Sequence, residues 1–143
     1  MKYFVCADIH GFYDEFASAL EKSGFDLKNE NHKLVICGDI FDRGHKPKQI
    51  IDYILANKNK IILIRGNHED LMQEMIDRNE SNFADGINGT SATIIDLCKQ
   101  TELSGFDLKG ISKMTGLQEV LDMCINFYET EHYVFVHSWI PTK

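Results

Sequence analysis

Gly38-Asp39-Ile40-Phe41-Asp42-Arg43-Gly44 places two carboxylates and a guanidinium in one short stretch, directly after the apolar run Leu34 to Cys37. Asp is a poor helix and strand former, and flanking glycines cost backbone entropy, so the cluster is no folding device. Three more sets share its character. Asp8 and His10 stand two residues apart, Asn67 and His68 are adjacent, and His137 follows an apolar stretch near the end of the chain. A carboxylate has two oxygens and can bridge two cations, and an Asn amide oxygen is a neutral, hard ligand. Asp8, His10, Asp39, Asn67 and His137 thus form a mixed oxygen and nitrogen set, better suited to Mn, Fe or Zn than a thiolate site. Each residue alone has a plainer structural role. Asp8 or Asp39 could cap a helix, Asn67 could be an N-cap with Asp70 at its third helical position, and His10 or His137 could be a satisfied, partly buried histidine. Their joint occurrence favours a metal site.

The elements that must position these residues follow from periodicity. Lys2 to Ala7, Lys33 to Cys37 and Lys60 to Ile64 read as strands, the last two as runs covered on both faces. Between and after them, Phe12 to Lys22, Pro47 to about Asn57 and a segment carrying Leu71, Met72, Met75 and Ile76 have helical spacing, with Pro47 suited to a first turn. Strand and helix alternate, which implies parallel strands with right-handed crossovers. The expected fold is α/β, a mostly parallel sheet flanked by helices. The charged clusters then fall just past the carboxyl ends of strands, the edge where open parallel sheets place their sites. At an extended strand end, residues i and i+2 point the same way, so Asp8 and His10 are expected to share one metal.

Asn79 to Gly116 is broken by glycines and reads as a small helical insertion partly over the site, with helices at Thr90 to Gln100 and from Leu117 to about Asn126. Ser-Gly-Phe-Asp-Leu-Lys occurs at Ser23 to Lys28 and again at Ser104 to Lys109. Each copy follows a predicted helix, so it reads as a shared helix-ending signal. Phe127 to Thr130 and His132 to Val136 read as a hairpin turning at Glu131, its second strand running into His137-Ser138-Trp139.

The 143 residues suit one domain with a real core, and 43% hydrophobic with 26% charged residues is a soluble globular balance. A net charge of −7 argues against nucleic acid held by the overall field. No apolar run approaches the about 18 residues that span a bilayer, and no signal peptide is evident, so the reading is cytoplasmic, with no membrane partner. The four cysteines lack zinc-ribbon spacing. Cys6 and Cys37 read as buried, reduced thiols.

Asp8-Ile9-His10-Gly11, Gly38 to Gly44 and Arg65-Gly66-Asn67-His68-Glu69 together resemble the three signatures of the calcineurin-like metallophosphoesterases. The Asp-Arg-Gly and Gly-Asn-His-Glu forms resemble the serine/threonine protein phosphatase branch, particularly its phage and bacterial members, and Val136-His137-Ser138 is similar to a fourth motif. The resemblance implies one divalent metal on Asp8, His10 and Asp39, and a second on Asp39, Asn67 and His137. Mn is the first expectation, with Fe or Zn as alternatives. It implies in-line attack on phosphorus by a metal-bridging hydroxide, His68 as the general acid, Asp42 orienting His68, and Arg43 gripping phosphoryl oxygens in a fork that Lys cannot form. Arg65 and Glu69 are expected to pair structurally around the loop. The implied substrate is a phosphorylated protein, or, as the alternative, a small phosphoester such as a dinucleoside polyphosphate. A third reading is a catalytically impaired metal-binding fragment. His45, Lys46 and Lys48 either form a positive rim that steers substrate or are simply solvated.

Two departures stand beside the resemblance. Ala7 precedes Asp8 where the family usually has Gly. The family's further strand-rich segment, with another metal-binding His and a second phosphate-binding Arg, has no counterpart after Ser138. Residues 1–143 are therefore expected to form one domain incomplete at its carboxyl end, with an apolar sheet face or edge that favours self-association.

Overall fold

The computed structural model describes residues 1–101 and 107–138. Three parallel strands, β1 (Lys2–Cys6), β2 (His32–Cys37) and β3 (Ile61–Ile64), form a sheet in the order β1-β2-β3. Register runs from Lys2 opposite His32 through Cys6 opposite Ile36, and from Leu34 opposite Ile61 through Cys37 opposite Ile64. The crossovers are α1 (Tyr13–Ser23) and α2 (Pro47–Ala56), the latter leading through a 3-10 turn (Lys58–Lys60), and α3 (Asn67–Arg78) leaves β3. Gly24 ends α1 in the left-handed conformation, φ 81, and Pro47 opens α2, both as the sequence implies.

Moving one way across the sheet with right-handed crossovers puts the helices on one face. Phe4, Leu34, Ile36, Ile61 and Leu63 share a continuous core there with Phe16, Ile50, Ile54, Met72 and Met75. The other face presents Val35, Cys37 and Ile64, covered by Tyr128 and Phe135. The cysteines are free thiols; Cys37 is buried and Cys6 only partly so.

The expected insertion is helical throughout its described part. It comprises α4 (Phe83–Asn88), α5 (Thr90–Thr101) and α6 (Leu108–Thr115), followed by α7 (Leu117–Met123). α4 and α6 stand where the glycines suggest breaks. Asn82 and Asp85 cap each other at the start of α4, and Arg78 reaches Asp85 at 2.5 Å. Ile94, Leu97, Leu108, Ile111 and Leu117 all belong to the main core, so this stretch is a wall of the domain.

The carboxyl-terminal hairpin is far smaller than expected. β4 (Tyr128–Glu129) and β5 (Val134–Phe135) pair antiparallel as a separate sheet, so His137 does not end a fourth strand of the parallel sheet. Among the described residues, cohesion with the parallel sheet comes from the bridge of Ile64 to Ile125 and from aromatic contacts such as Tyr3 against Phe135, tilted with centroids 5.7 Å apart. Val5, Tyr133 and Val134 remain exposed. Trp139 and residues 104–106 of the second hexapeptide lie outside the described residues. Among the described residues, no helix is long and apolar enough to cross a membrane.

Leu97 is fully buried in α5. Leu97→Ala should lower unfolding free energy by about 2–5 kcal/mol. Because α5 shares the main core, denaturant unfolding should stay a single transition. A separate early phase would make α4 to α6 an independent unit.

Candidate metal and phosphate site

Three loops leave the carboxyl edge of the sheet side by side. The β1 loop is hydrogen-bonded to the β2 loop by Asp8 N to Gly38 O (3.1 Å), His10 N to Asp39 O (3.0 Å) and Gly11 N to Ile40 O (2.8 Å). Asp8 (φ 54), His10 (φ 47), Asp39 (φ 55) and Asp42 (φ 92) all have positive φ, and among the described residues the one other non-glycine residue that does is the helix cap Asn79. Such conformations cost on the order of 1–3 kcal/mol each and persist only where the surroundings impose them. They also change a prediction. Asp8 and His10 are left-handed rather than extended, so the rule that i and i+2 point together does not hold for them.

Asp39 is the centre. Its Oδ1 accepts the His68 backbone amide at 3.1 Å. Its Oδ2 lies 3.3 Å from His137 Nε2 and 3.8 Å from His10 Nε2. Candidate ligand atoms fall into two groups sharing Asp39: Asp8, Asp39 and His137, and His10, Asp39 and His68. Asp8 and His10 fall in different groups, and their left-handed backbone lends no support to the strand-based expectation that they share an ion. Asn67 joins His137, its Oδ1 3.1 Å from His137 Nε2.

The donor set fits a cation. His10 Nδ1 is 2.7 Å from the Phe41 carbonyl, and His137 Nδ1 is 2.7 Å from the Cys37 carbonyl. A carbonyl only accepts, so Nδ1 carries the proton in both rings, which leaves Nε2 of each on the Asp39 side. Asn67 Oδ1 faces the same acceptors. Turned over, its amide would donate to both Asp39 oxygens at 3.3 Å; with the oxygen inward it would add a neutral, hard ligand to the set. Gly38 makes room for this arrangement. It sits at φ +79, and a Cβ there would lie 2.5 Å from His137 Nδ1 and 2.8 Å from the Gly66 Cα.

His68 has a different partner. Its Nδ1 is 2.9 Å from Asp42 Oδ2, and both side chains are buried. Burial pushes the Asp42 carboxyl up, while hydrogen bonds from His68, Thr93 and Thr90 pull it back down. Those threonines carry no sequence signal, and the sequence reading missed them. The His68 and His10 rings meet edge to face at 4.9 Å, which brings the dyad against the ligand set. Arg43, next to Asp42, is exposed and makes no ion pair with a described residue, which leaves its guanidinium available.

Glu69 was expected to pair with Arg65. Instead it accepts the amides of Asp39 (2.9 Å), Ile40 (2.7 Å) and Gly66 (3.0 Å). Burial pushes its carboxyl up, and the Ile40 and Asp39 amides pull it down. Arg65 reaches Asp70 (3.5 Å) and the Leu121 carbonyl (3.3 Å). The cations beside Arg43 have partners too: His45 with Asp96 (3.1 Å), Lys46 with Asp14 (2.8 Å) and Lys48 with Asp52 (2.5 Å). A free positive rim is therefore absent at these residues.

Glu69→Ala would orphan up to three buried amides, each costing about 1–3 kcal/mol. A fall in melting temperature well beyond that of a surface Glu→Ala control is expected. Equal melting temperatures would show that the carboxylate does not hold the loops.

A family model described as calcineurin-like phosphoesterase matches residues 1–142. Among curated relatives, a bis(5'-nucleosyl)-tetraphosphatase (asymmetrical) of Bacillus subtilis is 30% identical over 112 residues, covering 73% of this chain and 46% of that protein. A symmetrical bis(5'-nucleosyl)-tetraphosphatase of Buchnera aphidicola is 39% identical over 67 residues, 47% of this chain and 23% of that protein. The chain thus spans less than half the length of these two relatives. In fold it is similar to a metallophosphoesterase from Sphaerobacter thermophilus, with a TM-score of 0.55 and 15% identity over 94% of this chain and 45% of that one. With its three strand-end loops converging on Asp39, the chain belongs to the calcineurin-like phosphoesterase family.

Proposed function

We propose that this chain carries the catalytic centre of a metal-dependent hydrolase of dinucleoside polyphosphates. The observation that carries the chemistry is the set of lone pairs from His10, His137 and Asn67 turned toward Asp39, with the buried His68–Asp42 pair beside it. Divalent cations, Mn foremost with Fe or Zn as alternatives, would be held by Asp8, Asp39, Asn67 and His137 on one side and by Asp39 and His10 on the other. When bound they supply Lewis-acid stabilisation of phosphoryl charge.

The chain's own residues supply the rest. Arg43, exposed and uncommitted, binds phosphoryl oxygens. Of the three histidines, only His68 donates to a buried carboxylate; His10 and His137 donate to neutral carbonyls. With its Nδ1 held by the Asp42 carboxylate, His68 is assigned as the proton donor, and the other two, whose Nε2 atoms face Asp39, as ligands. Its Nε2 delivers the proton to the departing oxygen, and Asp42 holds the ring in place.

The dinucleoside tetraphosphatases of Bacillus subtilis and Buchnera aphidicola to which the chain is similar support the dinucleoside polyphosphate as substrate. A phosphoserine or phosphothreonine protein is the second reading, and the dyad favours it. A departing alkoxide is a strong base that needs a proton, whereas a departing nucleotide phosphate is a weak one.

His68→Ala should lower turnover of a phosphoserine peptide about 10²–10⁴-fold, and of a dinucleoside tetraphosphate far less, with metal content unchanged. Loss of bound metal in that variant would make His68 a ligand and overturn the acid assignment. With Mn present, a dinucleoside tetraphosphate should be cleaved faster than a phosphoserine peptide, the nucleotide products being read by chromatography. The reverse order would assign the site to phosphoproteins.

A further inference from the structure

α5 enters the site from outside the three strand-end loops. Thr90 is its first residue and Thr93 lies three further on, so their side chains share one helix face. Both are buried, and that face meets Asp42. The Thr90 hydroxyl donates to Asp42 Oδ2 at 3.0 Å, the oxygen that also takes His68 Nδ1. The Thr93 hydroxyl donates to Oδ1 at 2.9 Å. Its other neighbour, the Gly89 carbonyl, is at 3.5 Å, so the single hydroxyl proton belongs with the carboxylate. Backbone packing is equally close. A Cβ at Gly89, which has φ +83, would overlap the Asp42 carbonyl oxygen.

We propose that Thr90 and Thr93 are positioning residues that lock the plane of the Asp42 carboxylate, so that Oδ2 is presented to His68 Nδ1. This rests on the reading of His68 as the proton donor. A carboxylate with a single partner can turn about its Cβ–Cγ bond and offer either oxygen. Here a hydroxyl holds each oxygen, and one orientation satisfies all three donors. With the carboxylate fixed, the ring has one acceptor for Nδ1–H, which leaves Nε2 turned toward the site. Neither threonine touches the ligand set. They act through Asp42, and so make the helical stretch after α3 part of the acid rather than a cover over it.

Two variants separate positioning from plain stability. Thr90→Val/Thr93→Val removes both hydroxyls at nearly constant volume, and Thr90→Ser/Thr93→Ser keeps them. In the long-range proton–nitrogen correlation spectrum of the chain without added metal, the unchanged protein and the serine variant should show His68 as one ring form protonated at Nδ1. The valine variant should show mixed or broadened ring signals. Unaltered His68 signals in a folded valine variant would overturn the proposal.

Turnover supplies the second readout. The valine variant should be about 10–100-fold slower on an alkyl phosphate and within about twofold on dinitrophenyl phosphate, whose leaving group needs no proton. Serine should restore the alkyl rate. Equal losses on both substrates would mark a merely structural role. His68→Ala is run beside them. If it too slows both substrates equally, the acid assignment fails, and not the threonines' part in it. Should the double valine variant not fold, Thr90→Val and Thr93→Val are read singly by the same two measurements.

Discussion

The carboxylate of Glu69 takes amides from two different strand-end loops, and the places of Asp39, Asn67 and His68 follow from that. The β2 loop must bring Asp39 inward in a left-handed conformation, while the β3 loop must start α3 beneath it. Neither loop can pair its amides with a strand at that point. Glu69, in the first turn of α3, satisfies both from one buried side chain. The His68 amide then reaches Asp39 Oδ1, and Oδ2 is left facing the histidines. A carboxylate that holds no ion thus sets where the ion-holding carboxylate points.

That clamp explains how mutually repelling groups stay together. Asp39 Oδ2, two imidazole Nε2 atoms and the Asn67 amide converge, and two of the residues involved, His10 and Asp39, have positive φ. Left alone, such a cluster would relax by turning side chains outward. It is prevented from below by carbonyls gripping the far side of each ring, and from the side by the hydrogen-bonded β1 and β2 loops. Preorganisation of this kind removes the need to reorganise when charge arrives, which is where such sites gain most.

The strands and the residues at their ends were legible because buried parallel strands are unbroken apolar runs, and each here empties into Asp or Asn. Other features had no local signature. Gly86 and Gly110 read as breaks, yet both lie inside helices, since core packing outweighs a glycine penalty of about 1 kcal/mol. Glu69 reads as a partner for Arg65 around the loop, and nothing local says that it takes the amides of Asp39 and Ile40, 30 and 29 positions earlier. The grouping of ligands depended on Asp8 and His10 being left-handed, where a strand rule assumed extended chain. His137 was legible as a histidine after an apolar run, but its short hairpin is a separate sheet, placed by aromatic contacts rather than by ladder pairing.

The three histidines of the site, His10 and His68 buried and His137 partly so, divide into two roles through the group that accepts each Nδ1 proton. A neutral carbonyl fixes the ring without favouring its charge; a carboxylate does both. Placing a carboxylate that deep is costly unless both oxygens are satisfied, and the Asp42 backbone, at φ 92, adds strain of its own. The His68 hydrogen bond supplies one donor. The remaining two donors are side-chain hydroxyls. They come from the one neighbouring element with free hydroxyls on its buried face, α5. A parallel-sheet edge is thereby enough to gather the ligands, whereas a properly oriented acid requires the helical wall beside it.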